Sequence, residues 1–167
     1  MENKKITRVA LIAAVYTVMT LILAPFSFGP IQVRLSESLT VLPLFSTLGI
    51  YGITLGCFLS NILGALMGSN PLGYIDAIIG SCASLLAGIM TYKLRNKKIK
   101  GIPFLSLLMP LIFNFIFVGL ELAILYMPEN ILTGLLIYGL QVALGELVAV
   151  IIGYFVIYRS NLLNRFF

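Results

Sequence analysis

The sequence predicts an all-α membrane protein, a bundle of six transmembrane helices with both termini in the cytoplasm. Three observations carry this. The 167 residues are 60% hydrophobic and only 10% charged, with a mean hydropathy of +1.07, a composition of apolar runs rather than of a soluble core. The runs are separated by short turn-rich or basic stretches. The basic residues fall on one side of the membrane only if the chain crosses six times.

Taken in order, the first span covers about residues 7–24, preceded by Lys4, Lys5 and Arg8 and ended by Pro25. Its start resembles a signal peptide, but it lacks a clear small-residue cleavage site and further spans follow, so it reads as a retained helix. Residues 26–34 form a loop. The apolar run from Leu39 to Met67 exceeds the ~20 residues one crossing needs. The glycines of Gly49-Ile50-Tyr51-Gly52 offer a turn within it, giving spans of about 35–49 and 51–67. GSNPLGY, residues 68–74, is a loop, and a fourth span covers about 75–92. The segment 93–100 holds Lys93, Arg95, Lys97, Lys98 and Lys100. Spans of about 102–126 and 131–158 follow, joined by residues 127–130. The whole chain, 1–167, is a single membrane domain.

Six crossings put Lys4, Lys5, Arg8, the five basic residues of the 93–100 loop, Arg159 and Arg165 on one side. That is ten of the eleven Lys and Arg, with Arg34 opposite. The positive-inside rule makes that side the cytoplasm. A single span through 39–67 would place the basic loop outside, against the rule. The net charge of +5 is therefore a topology signal and not a nucleic-acid footprint. Cys57 and Cys82 lie in apolar runs and read as small hydrophobes. Without histidine or a cysteine cluster no zinc or haem site is expected, and no metal ligands are assigned.

The stretch GPIQVRLSESLTVLP, residues 29–43, stands out. It packs Gln32, Arg34, Ser36, Glu37 and Ser38 into seven positions and then enters apolar sequence. Arg34 and Glu37 are three apart and can pair on one helical face, and Ser36 or Ser38 can cap that helix. Glu37, Asp76 and Glu121 fall at comparable depth in the outer half of the membrane, where a charge facing lipid costs about 2.5–3.5 kcal/mol, so they should face inward. Arg34 with Glu37 can also be an interfacial ion pair, and Asp76 a helix cap. Asn61, Asn114, Gln141 and Glu146 can serve as hydrogen bonds between helices. Glu121, with no basic neighbour in sequence, points to ligand or water. Ala10, Ala13 and Ala14 form a small-residue surface that admits a close helix, either from this chain or from a partner. Phe26, Phe28, Tyr74 and Tyr126 fall at the outer interface, as belt residues or as stacking surfaces for a planar ligand. There is no GxxxxGK[ST] phosphate loop, and without histidine no Ser-His or Cys-His arrangement exists. A small membrane enzyme acting on lipid or isoprenoid substrates, with Asp76, Glu121 or Glu146 catalytic, is the weaker reading.

FGPIQVRLSESLTVLP, the G-x-x-x-G segment Gly52 to Gly56, the loop NPLGYIDAIIG and the segment from Asn114 to Glu121 together resemble the queuosine-precursor transporter family, QueT. The most specific part is the run Gln32-x-Arg34-x-Ser36-Glu37. The resemblance implies a substrate-binding S component of an energy-coupling-factor (ECF) transporter in the bacterial plasma membrane. Such a subunit is not itself an enzyme: it joins a transmembrane coupling subunit and two ATPases that hydrolyse ATP, and carries no cofactor. It also implies that Ala10 and Ala14 meet the coupling subunit. The implied substrate is a 7-deazaguanine precursor of queuosine, such as preQ0, preQ1 or queuine, with S components for riboflavin, thiamine or biotin as alternatives. For such a base, Glu121 would accept the paired imino and amino donors, and Asn114 or Gln141 would donate to the ring carbonyl. Asp76 or Glu37 would meet an aminomethyl cation.

Overall fold

A computed structural model describes residues 2–28 and 32–160, and among these the chain is all-helical. Five helices are long and apolar enough to cross a membrane. They are α1 (Glu2–Ile22), α3 (Thr47–Leu66), α4 (Tyr74–Leu94), α5 (Phe104–Tyr126) and α6 (Ile131–Gly153), the last running on as a π-helical turn, Tyr154–Arg159. A four-residue helix, α2 (Ala24–Ser27), follows a break at Leu23, with Pro25 in its first turn, where its missing N–H costs nothing.

The sixth apolar element is not an α-helix. Leu35–Leu44 is a 3-10 helix, longer than the three or four residues usual for that form. At a rise of about 2.0 Å per residue it covers about 20 Å. The expected turn at residues 49–52 lies elsewhere: the chain turns at Phe45 and Ser46, and Ser46 caps α3 by accepting from the Leu48 N–H at 3.2 Å. Gly49 and Gly52 are inside α3, where they permit contact rather than a bend. A Cβ at Gly49 would stand 2.7 Å from the Leu42 carbonyl carbon, and one at Gly52 would stand 2.6 Å from Ile12. The predicted serine cap is also absent. Arg34 holds the N-cap position without a side-chain cap bond, and the Ser36 hydroxyl is bonded to Thr20 Oγ1 at 2.6 Å.

The 3-10 helix lies inside the bundle and touches α1, α3, α4, α5 and α6. It runs parallel to α6 along a smooth strip. A Cβ at Gly145 would collide with the Gln32 carbonyl, and one at Gly153 with the Ser38 carbonyl. Ile12, Tyr16, Leu42, Ile53 and Cys57 form the core between α1, α3 and this segment. A second apolar cluster, Leu72, Val118, Leu122 and Val142, joins α5 and α6 to the 68–73 loop. By helix direction, one end of the bundle collects residues 23–28, 32–34, 67–73 and 127–130. The opposite end holds the 95–103 connection, where Ile99 and Ile102 pair across a tight turn with positive φ at Lys100 and Gly101, the geometry of a two-residue primed turn.

Candidate functional site

The polar run is drawn into the bundle. Gln32, Arg34, Ser36, Glu37 and Ser38 are all buried, so Arg34 and Glu37 are not an interfacial pair. Arg34 has extended backbone (φ −92°, ψ 95°) just ahead of the 3-10 helix. That geometry removes it from the helical i, i+3 alignment with Glu37. It pairs instead with Asp76, in the first turn of α4, at 3.2 Å. The guanidinium also lies 5.1 Å from the Phe28 ring centroid, and its Nε donates to the Ser27 carbonyl at 3.5 Å. The same Asp76 oxygen accepts from Asn70 Nδ2 at 2.9 Å, and the Asp76 backbone carbonyl accepts from Asn61 Nδ2 at 3.0 Å. Asp76 is therefore the counterion that fixes Arg34, and Asn61 ties α3 to α4. Glu37 is fixed from the other direction, its Oε1 accepting from the Tyr16 hydroxyl. Tyr16 reaches it because Gly56 lets α1 and α3 close up: a Cβ there would stand 2.6 Å from that of Tyr16.

Two cavities lie beside this arrangement. The larger, about 410 Å³, is lined by Phe28, Gln32, Leu122, Tyr126, Tyr138 and Gln141, with Pro71. Its volume is in the range that holds a small organic ligand. The smaller, about 20 Å³, is lined by Gln32, Arg34, Glu37, Asn114 and Glu146, with Val118 and Val142. Gln32 is shared, and the helices step from one cavity to the other. Leu122, Val118 and Asn114 descend α5 at intervals of four, as Tyr138, Val142 and Glu146 descend α6. Four residues advance about 6 Å, so the small cavity is the floor beneath the large one. There Asn114 Nδ2 donates to Glu146 Oε2 at 3.0 Å. The other oxygens, Glu37 Oε2 and Glu146 Oε1, are buried and make no hydrogen bond.

Of the residues singled out from the sequence, Arg34, Glu37, Asn114 and Gln141 come together around these cavities. Asp76 stands behind Arg34 and is not in the lining. Glu121 opens on a separate groove between α4 and α5, beside two apolar hollows of about 270 and 280 Å³ whose walls include Ile79 and Ile124. It is 7% exposed, with neither carboxylate oxygen hydrogen-bonded. Ala13 packs inward, whereas Ala10 and Ala14 are exposed on α1. Glu146, read from sequence as equally suited to a structural role, belongs to the floor. Tyr16 and Tyr138 were not singled out. The four-residue ladder Tyr138-Val142-Glu146 was the signal available for the second of these.

The family model of the QueT transporter matches residues 6–161. The chain belongs to the QueT transporter family. Its family and its long apolar helices make it a multi-pass protein of the bacterial plasma membrane. A relative from Lactococcus lactis subsp. cremoris (strain MG1363), named Queuosine precursor transporter QueT, is 34% identical over 83 residues. That stretch is 48% of this chain and 45% of the relative, about half the length of each. No solved structure matches the chain.

Proposed function

We propose that this family member is the substrate-binding membrane subunit of an ECF importer for a queuosine precursor, a 7-deazaguanine base. The observation that carries the reading is the 410 Å³ cavity with aromatic and amide walls above a charged floor. A flat heterocycle gains from offset or edge contacts with Phe28, Tyr126 and Tyr138. The Gln141 amide donates to its ring carbonyl and accepts from its donor edge. Glu121, the sequence candidate for that edge, opens on the α4–α5 groove instead, which favours Gln141 in the role. Six crossings with both termini cytoplasmic agree with Lys4, Lys5, Arg8, the five basic residues of 93–100 and Arg159 lying at the end of the bundle opposite the cavity mouth. Energy comes from a coupling subunit and two ATPases, since the sequence carries no phosphate loop. The exposed Ala10 and Ala14 suit a close helical contact with that coupling subunit.

The test has two parts. The purified full chain should gain thermal stability with deazaguanine bases and not with riboflavin, thiamine or biotin. Cells should accumulate labelled base only when the chain is expressed together with a coupling subunit and its ATPases. Stabilisation by one of the vitamins alone would overturn the substrate, and accumulation without the ATPases would overturn the partnership.

A further inference from the structure

The floor of the cavity says more about the ligand than its walls do. Two carboxylates, 3% and 5% exposed, each commit one oxygen to a protein donor and leave the other without a partner. Asp76 Oδ1 and Asn61 Oδ1 are also unbonded, but these residues are outside the cavity lining. The nearby cation, Arg34, is already matched by Asp76. Ionised, Glu37 and Glu146 would leave the floor with excess negative charge away from water, which is costly unless a cation or donor answers it. The space between them, about 20 Å³, is the size that one water molecule or one ammonium group fills. The chamber above takes a ring.

We propose that the floor is an ammonium site, and that the protein selects a base bearing a cationic aminomethyl group over the same base bearing an uncharged nitrile. This rests on the deazaguanine reading above and deepens it. Glu37 Oε2 and Glu146 Oε1 receive the ammonium hydrogens, while Tyr16 and Asn114 hold the two carboxylates in place from behind. A nitrile, which only accepts hydrogen bonds, gains nothing from the two carboxylates, and the Arg34 and Asn114 donors that also line the floor are engaged by Asp76 and Glu146.

The experiment compares Kd of the 7-aminomethyl and 7-cyano forms of 7-deazaguanine on the purified full chain. Wild type should prefer the amine by about 10- to 100-fold, the range of a charge-assisted hydrogen bond. In Glu37→Gln and Glu146→Gln the amide oxygen can keep the bond to Tyr16 or Asn114 and turn its NH2 toward the cavity. Each should lose most of the preference, by weaker amine binding with nitrile affinity held or improved. Equal affinity of wild type for both bases would overturn the ammonium site and leave the transporter reading intact. Binding of neither base would overturn both. The wild-type comparison needs no variant to fold.

Discussion

The polar segment that includes Arg34 and Glu37 faces two halves of the bundle, and the halves treat it differently. Toward α1, α3 and α4 its groups are tied down: Arg34 to Asp76, Ser36 to Thr20, Glu37 Oε1 to Tyr16. Toward α5 and α6 the same segment touches α6 closely at Gly145 and Gly153 but also borders the small cavity, where Glu37 Oε2 and Glu146 Oε1 have no partner. One side orders the segment at the cost of burying charge, and the other uses that order. A site of this kind does not need flexible loops to acquire its geometry; rigid neighbours impose it from behind.

The comparison breaks most severely at Asp76. In Asp76→Ala the Arg34 guanidinium stays buried without its counterion, and unfolding in detergent should show a loss of about 3–5 kcal/mol. The double variant Arg34→Met, Asp76→Leu should recover much of it, because the charge has gone with its partner. A smaller effect is expected on the open side. Gly145→Ala puts a methyl group against the Gln32 carbonyl, and such overpacking costs about 1–3 kcal/mol. Because Gln32 lines both cavities, base affinity should fall with stability, and a fall in stability alone would mean that Gln32 does not shape the site. The smallest effect sharpens the contrast. Glu121→Leu removes a buried carboxylate with no hydrogen bond, so stability should hold or rise by about 1 kcal/mol. Base affinity should change by less than about twofold if the two sites do not couple. A tenfold loss would return Glu121 to the substrate site.

How far the sequence revealed this can be judged from individual residues. Long apolar runs and the basic loop located five helices well, because length and hydropathy are local properties. The element between them was misread. Gly49 and Gly52 looked like a turn, yet both are contact points within α3, and the real boundary is at Phe45 and Ser46, close behind Pro43. A glycine that breaks a chain and one that admits a neighbour look identical until the neighbour is known. The site was partly legible for a related reason. Buried charge marked Arg34, Glu37 and Asp76, but nothing local distinguished an Arg34–Glu37 pair from an Arg34–Asp76 pair. Asn114 and Glu121 are seven residues apart, nearly two full turns, so periodicity places them on one face. Which of them meets α6 and which meets α4 is settled by how the helices lean on one another.

The parallel course of the 3-10 segment along α6 has a consequence for register. Contacts at Gln32–Gly145 and Ser38–Gly153 match six residues of one strand to eight of the other, over about 12 Å of α6. The two courses differ, non-helical through Arg34 and then 3-10 on one side against a regular α-helix of 3.6 residues per turn on the other, so both contacts are met together at one setting. Two α-helices that lose a contact can slide a turn and find an equivalent one. This pair has no second alignment nearby, so a one-residue deletion between Gln32 and Ser38 cannot be absorbed by slippage, and the place of Glu37 in the cavity floor is set by counting residues.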